Sequence, residues 1–328
     1  MKKKLLITGA SGFLGYHLIE AALLQDYEVY AGVRKSSNTT HLDRNKVTVV
    51  ELDMADTNSL KAALEKYGIE YIIHGAALTR AKTESVYNFS NATLTRNLAL
   101  AAAEANTGMK KFVFISSLAA LGPSADGEPV NENTSPRPLT WYGKSKLLAE
   151  NYLREIASLP FIVLRPTAVY GPREKDLLLL VKSVTRGLEV YMGRGKQKLS
   201  FVYVKDVAAL AVRCLQSPAN REFYNVGDGQ VYDQYAFANA AKKATGKKTI
   251  RLYLPLGLIK KVAVGMDKLY SRSSKTPVLN EDKMKELTAA DWSCSIAKLQ
   301  QETGYKPQYD LESGMAETVA WYKENKWI

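Results

Sequence analysis

Two hydrophobic rhythms alternate through the first half of the chain. "KLLITG", ending at Gly9, is a short apolar run, and from Phe13 to Leu24 apolar residues recur at helical spacing. "EVYAGVR" and "KVTVVEL" are rich in β-branched residues and predict strands. "DTNSLKAALEKYG" predicts a helix that starts at the candidate caps Asp56 and Thr57 and stops at Gly68. "YIIHGAA" and "KFVFISS" predict further strands, separated by an alanine-rich helix from about Glu84 to Ala105. A helix from Trp141 to Ala157 and the strand "FIVLRP" follow. Apolar strands alternating with helices imply a parallel sheet covered on both faces, with right-handed crossovers. The fold class is α/β, a doubly wound parallel (Rossmann) sheet.

The second half is less regular. A polar loop from Gly122 to Pro138 leaves the carboxyl side of a strand, where ligands bind in such sheets. Asp176 to Thr185 is helical in pattern, and the tail places Leu311, Met315, Val319 and Tyr322 on one helical face. The expected organisation is a nucleotide-binding core, residues 1–166 plus about 199–230, and a smaller, partly discontinuous C-terminal substrate cap, about 167–198 and 231–328.

Composition narrows the function classes. Two cysteines, Cys214 and Cys294, cannot build a disulfide framework, and His17, His41 and His74 have no metal-ligand spacing. A reducing, cytoplasmic setting and no metal are expected. The apolar run behind the basic N-terminus is too short for a signal peptide, and no stretch is apolar enough to span a bilayer. The net charge of +12 favours anionic partners, yet no basic block interleaved with aromatics stands out, so nucleic acid is not expected. "LGLIKKVAVGMDKLYSRSSK" is amphipathic with lysines on its polar side. A helix of this kind more often caps a pocket than touches a membrane, and peripheral membrane contact is not expected.

Gly9, Gly12 and Gly15 form GxxGxxG directly after a strand and at the start of a helix. Without Cβ atoms the chain can turn tightly and leave N–H groups of a helix N-terminus for a pyrophosphate, so the loop Gly9, Ser11, Gly12, Phe13, Leu14 and Gly15 is the candidate dinucleotide site. An acid that binds a ribose 2′-hydroxyl is expected at the end of the second strand in NAD-selective sites; here stand Arg34 and Lys35. A guanidinium suits a 2′-phosphate, which predicts NADP ahead of NAD.

"TWYGKSKLLAE" contains Gly143-Lys144-Ser145, the end of a P-loop, but the first glycine that GxxxxGK[ST] requires is replaced by Pro138, and no strand precedes it. Tyr142 and Lys146 instead lie one helical turn apart on one face. An ammonium there lowers a phenol pKa from about 10 toward working pH, where acid–base catalysis is efficient. Ser116 and Ser117 end a strand of the same sheet and offer a hydroxyl to a developing alkoxide. There is no GxSxG elbow for a serine hydrolase.

"TGASGFLG", "HGAA", "FISS…LG", "YGKSK", "LRPTAVYGP", "SFVYVKDVA" and the closing "TGYKPQYDLESGMAETVAWY" together resemble the extended short-chain dehydrogenase/reductase family, also called the NAD-dependent epimerase/dehydratase family. The resemblance runs almost end to end. It implies that Tyr142 is the acid/base, that Lys146 binds the nicotinamide ribose, and that Ser117, five residues before Gly122, matches the catalytic serine better than Ser116. It places Asp53 and Met54 near the adenine, Gly75, Ala76, Ala77 and Ser116 along the cofactor, and Pro166 and Val169 near the nicotinamide. It also implies a homodimer through the helices around 84–105 and 141–157. Thr79, Arg80, Leu118 and Arg173 are candidate substrate liners.

Two departures bear on substrate. Where sugar-nucleotide enzymes of the family carry an asparagine, Ala168 stands, and Leu199 replaces the arginine that grips a substrate diphosphate. The expectation is therefore an NADP-dependent oxidoreductase that interconverts a hydroxyl and a ketone or aldehyde on a small molecule. A nucleotide-sugar epimerase or dehydratase with tightly bound NAD is the first alternative, and a non-catalytic NAD(P)-binding protein the second.

Overall fold

The computed structural model describes residues 2–193, 195–270 and 281–328. Its centre is a seven-stranded, all-parallel sheet in the order β11-β6-β5-β4-β1-β2-β3. The strands are β1 (Lys4–Thr8), β2 (Glu28–Val33), β3 (Thr48–Glu51), β4 (Tyr71–His74), β5 (Lys111–Ile115), β6 (Phe161–Pro166) and β11 (Glu222–Val226). Order reverses between β1 and β4, and such a switch point opens a crevice at the carboxyl ends of the strands. Four helices follow the predicted rhythm: α1 (Phe13–Leu24), α2 (Thr57–Tyr67), α4 (Leu94–Glu104) and α5 (Trp141–Glu155). Asp56 caps α2 by accepting from the Asn58 and Ser59 amides, and Gly68 ends it with φ +63°.

The single long helix expected from Glu84 to Ala105 is instead a short α3 (Glu84–Tyr87), a π-helical segment Asn88–Thr93 and then α4. No proline or glycine breaks this stretch, so only the folded chain reveals the wide turn.

Two apolar clusters line the faces of the sheet. One face buries Leu5, Ile7, Leu18, Val113 and Ile162 and is covered by α1 and α7 (Val204–Cys214). It also takes in Leu299 of α11 (Ala297–Thr303). The other face buries Leu6, Ile72, Phe112 and Phe161 under α2, α4 and α5. Both cysteines are buried thiols.

A third cluster lies apart from the sheet. It joins α6 (Leu178–Thr185), α8 (Ala236–Thr245) and α12 (Leu311–Glu324), with Leu311, Met315, Val319 and Tyr322 of the tail all buried as their spacing predicts. Small strand pairs complete this half: β7 (Ala168–Tyr170) with β10 (Phe201–Tyr203), β8 (Leu188–Met192) with β13 (Ile250–Leu254), and β9 (Lys198–Leu199) with β12 (Tyr232–Asp233). The lysine-rich stretch forms α9 (Leu256–Tyr270), and α10 (Glu281–Thr288) packs against it. Its predicted end, Ser271 to Lys275, lies outside the described residues. No helix among the described residues is long and apolar enough to cross a membrane.

Candidate active site

The glycine loop sits at the switch point, between the ends of β1 and β4. Gly9 has φ +70°, and a Cβ there would stand 2.7 Å from the backbone of Gly75 and Ala76. A Cβ on Gly15 would stand 2.1 Å from the Gly9 carbonyl oxygen, so α1 can begin this close to the turn only with glycine. Gly12 caps α1 without any side-chain hydrogen bond, which leaves the first amides of a twelve-residue helix for an anion. This cradle fits the pyrophosphate of a dinucleotide. Arg34 and Lys35 are exposed just past β2. Asp53 is exposed too, with its carboxylate accepting from the Ala55 amide, and Met54 packs half-buried on the core beside it.

α5 carries the catalytic candidates to the same edge. Thr140 caps it by accepting from the Gly143 amide at 3.1 Å. Gly143 of the apparent P-loop has a packing role, for a Cβ there would meet the Ala119 carbonyl oxygen at 2.3 Å. Ala119 belongs to the 3-10 turn Leu118–Ala120 that follows Ser117, so the missing side chain lets α5 press against that turn. Tyr142 and Ser117 are thereby brought together, close enough for the serine hydroxyl to favour the phenolate.

The electrostatics differ from the expectation that Lys146 depresses the Tyr142 pKa. Burial pushes the phenol above its ordinary value, and the Glu286 carboxylate adds to that push, while the Ser117 hydrogen bond opposes them. Lys146 is 1% exposed, donates to the Ile115 carbonyl at 2.7 Å and lies 4.5 Å over the Phe114 ring. Burial pulls its pKa down to about 7, against the pull of Glu150.

Three layers support this trio, none of them foreseen. Thr95 donates to the Asn91 carbonyl at 2.6 Å, so its oxygen accepts from His74 Nε2, and His74 Nδ1 accepts from Thr8. His74 is fully buried with its pKa lowered to about 3 by desolvation, then by Lys146, and stays neutral. Asn91, inside the π segment, donates to the Leu78 carbonyl and to Ser145 Oγ, which donates to the Tyr142 carbonyl. A π turn places side chains that an α-helix cannot, and such turns gather at functional sites. The third layer is ionic: Arg165 grips Glu150 through Nε at 2.9 Å and Nη2 at 2.6 Å, and both side chains are at most 2% exposed. Glu150 was detectable, standing four residues beyond Lys146 as Lys146 stands beyond Tyr142; Arg165 was a lone charge ending an apolar strand.

The remaining candidates divide. Ser116 is buried and donates to Glu150 Oε1 at 2.6 Å, so its hydroxyl is turned under the site. Leu118 is buried in the sheet core, on the 3-10 turn that follows Ser117. Arg80 pairs with Asp176, and Arg173 stacks 4.1 Å over the Tyr16 ring of α1. Thr79 is exposed, and its carbonyl accepts from the Tyr87 hydroxyl. Gly75 and Ala76 are half-buried against the glycine loop, with Ala77 exposed beyond them. Pro166 is buried at the end of β6, and Val169, half-buried, pairs with Val202. Ala168 is exposed, Leu199 is half-buried, and Lys198 turns to Asp291 at 3.2 Å. Over the start of α5 lies α10, whose Asp282 accepts from the Trp141 amide at 2.9 Å. Among the described residues no group of three or more potential metal ligands occurs.

Residues 5–227 match the model of the NAD dependent epimerase/dehydratase family. The chain is similar to the sterol-4-alpha-carboxylate 3-dehydrogenase, decarboxylating, of Dictyostelium discoideum, at 28% identity over 77% of this chain and 80% of that protein. It is similar to the ceramide reductase of Caulobacter vibrioides at 28% identity, over 98% of this chain and 95% of the relative. Among solved structures, the UDP-glucose 4-epimerase of Thermotoga maritima with UDP-glucose superposes with a TM-score of 0.81 at 23% identity, over 98% and 99% of the two chains, a likeness of fold. The chain belongs to the NAD-dependent epimerase/dehydratase family, as an NAD(P)-dependent enzyme of the extended short-chain dehydrogenase/reductase type.

Proposed function

We propose that this enzyme is an oxidoreductase that interconverts a hydroxyl and a carbonyl on a weakly polar small molecule, with NADP preferred to NAD. The observation that carries the reaction type is the Tyr142 phenol beside Ser117, with buried Lys146 one turn along the same helix. A dinucleotide held by the Gly9–Gly15 loop would supply or accept the hydride through its nicotinamide. Tyr142 holds a proton on Oη at neutral pH, because burial and Glu286 keep the phenol protonated, and this suits donation to a carbonyl oxygen. The Ser117 hydroxyl donates to the same oxygen as negative charge develops. Lys146 brings positive charge to the ribose side, and Glu150 and Arg165 hold its helix against β6.

Arg34 supports NADP, since a guanidinium at the end of β2 suits a 2′-phosphate and no acid stands there. Ala168, Leu199 and the diversion of Lys198 to Asp291 argue against a sugar diphosphate. The ceramide and sterol substrates in the relatives' names fit a weakly polar molecule. Residues 1–166 with about 199–230 serve as the nucleotide unit in this reading, and the rest as the cap.

The test is Tyr142→Phe: cofactor binding stays within about twofold and turnover falls by at least about a hundredfold. Unchanged turnover refutes the assignment. The rival, a nucleotide-sugar epimerase, is favoured if mass spectrometry finds NAD retained in the purified enzyme and UDP-sugars are turned over.

A further inference from the structure

The parallel pair β8–β13 turns its polar side inward and its apolar side outward. Leu188, Val190 and Met192 stand beside Ile250, Leu252 and Leu254 in register, and all six are exposed, Ile250 by 69%. Of the alternate positions, Glu189 is buried and Tyr191 and Tyr253 are half-buried, while Arg251 is exposed and reaches Glu189 with its guanidinium. Glu189 is 3% exposed and accepts from Lys242 at 2.7 Å, from Arg251 Nε at 3.2 Å, from the Tyr191 hydroxyl at 2.6 Å and from Thr249. Tyr191 packs 5.0 Å from Tyr235 and stacks on Tyr253. A half-buried sheet in water places its apolar face on the core. This ion-paired inner face fixes the register, and a one-residue slip would bury the apolar side and expose Glu189, so the outward apolar face is locked in place.

The rim of this face is cationic. Arg186, Lys247 and Lys248 stand just before the two strands, at the same end of a parallel pair. Lys196 follows β8, and Lys260 and Lys261 lie on α9, which follows β13 directly. These six are exposed, and no acidic side chain occupies the outward face of either strand.

We propose that the β8–β13 face docks the enzyme on an anionic lipid bilayer, with the six apolar side chains inserted at the headgroup boundary and the flanking lysines and arginine on lipid phosphates. A contiguous exposed apolar patch with a polar rim marks an interaction site. Apolar insertion combined with lysines near an anionic surface is the chemistry of interfacial membrane binding, in which each cation contributes severalfold to affinity. The surplus positive charge of the chain, +12, acts in the same direction. The lysine-rich stretch had suggested a pocket cap; the neighbouring strand pair supplies the apolar surface that the helix alone lacked. This inference rests on the surface and stands or falls apart from the catalytic assignment.

The test is flotation of the full-length protein with phosphatidylcholine vesicles, pure or containing about a third phosphatidylglycerol. The protein is expected to float with the anionic vesicles and to be released by high salt. Val190→Gln with Leu252→Gln, both at exposed positions, is expected to weaken binding at least about tenfold, and Lys247→Glu with Lys248→Glu about as much. Both double variants keep the wild-type melting temperature. Absence of binding to anionic vesicles overturns the proposal, as does equal binding to neutral ones. Concentration-dependent self-association that Val190→Gln with Leu252→Gln abolishes, with vesicle binding unchanged, overturns it too and assigns the face to a second copy of the chain.

Discussion

Replacing Glu150 by glutamine removes one charge from a buried pair and little volume. Arg165 is then left at 2% exposure with no carboxylate, its Nη1 already lacking a hydrogen-bond partner and its guanidinium 5.0 Å over the Phe223 ring. Losing one partner of a buried pair costs ~3–5 kcal/mol, far above the ~0–1 kcal/mol of an exposed pair. Against a total stability of ~5–15 kcal/mol, that is a large fraction. Removing both charges, as Glu150→Leu with Arg165→Met, deletes the orphan and is expected to recover most of the loss, since well-packed apolar replacements of buried pairs are often neutral. The assay is urea unfolding followed by tryptophan fluorescence for the wild type, both single variants and the double variant. A Glu150→Gln cost below ~1 kcal/mol, or a double variant as unstable as the sum of the singles, refutes the reasoning. In active enzyme the same substitution removes the group that holds the Lys146 pKa up against burial, so the pH profile of turnover shifts as well.

Gly15→Ala places a Cβ 2.1 Å from a backbone oxygen, so the loop must move; dinucleotide affinity by calorimetry is expected to drop by at least about tenfold, and unchanged affinity contradicts the cradle. His74 takes up its proton near pH 3 when folded and at 6.5 in the unfolded chain, so the unfolded state binds more protons between those values and stability falls as pH drops through that window, by up to ~1.4 kcal/mol per pH unit. His74→Gln is expected to flatten that slope in acid-unfolding titrations, and an unchanged slope removes His74 from the account. Arg34→Ala is expected to raise KM for NADPH by about tenfold and to leave KM for NADH nearly unchanged; equal effects on both would refute a 2′-phosphate contact.

Much of the fold was legible because it is written locally. Strand runs such as "FIVLRP", the period of Phe13–Leu24 and the caps Asp56 and Gly68 act over a few residues, and these elements formed within two or three residues of their expected bounds. The decoy at Gly143 was also legible, since Pro138 denies the P-loop its first glycine. The site was half legible. Tyr142 and Lys146 share one helix face by spacing alone, whereas His74 and Arg165 are each a single polar residue in an apolar stretch and Asn91 is one polar residue among several. The partners of these side chains are 13 to 66 residues away in the chain.

The sequence by itself determined the alternation of strands and helices, the glycine turn and the Tyr-Lys spacing, because short-range sterics and periodicity decide those. Only the tertiary structure decided which charges are buried. It rolled Leu118 into the core, turned Ser116 toward Glu150, brought the carboxylate of Glu286 close to Tyr142 and set the apolar side of β8–β13 outward. The reason is physical: an ionisable group's free energy depends on the solvent and partners around it, and those come from segments far away in the chain.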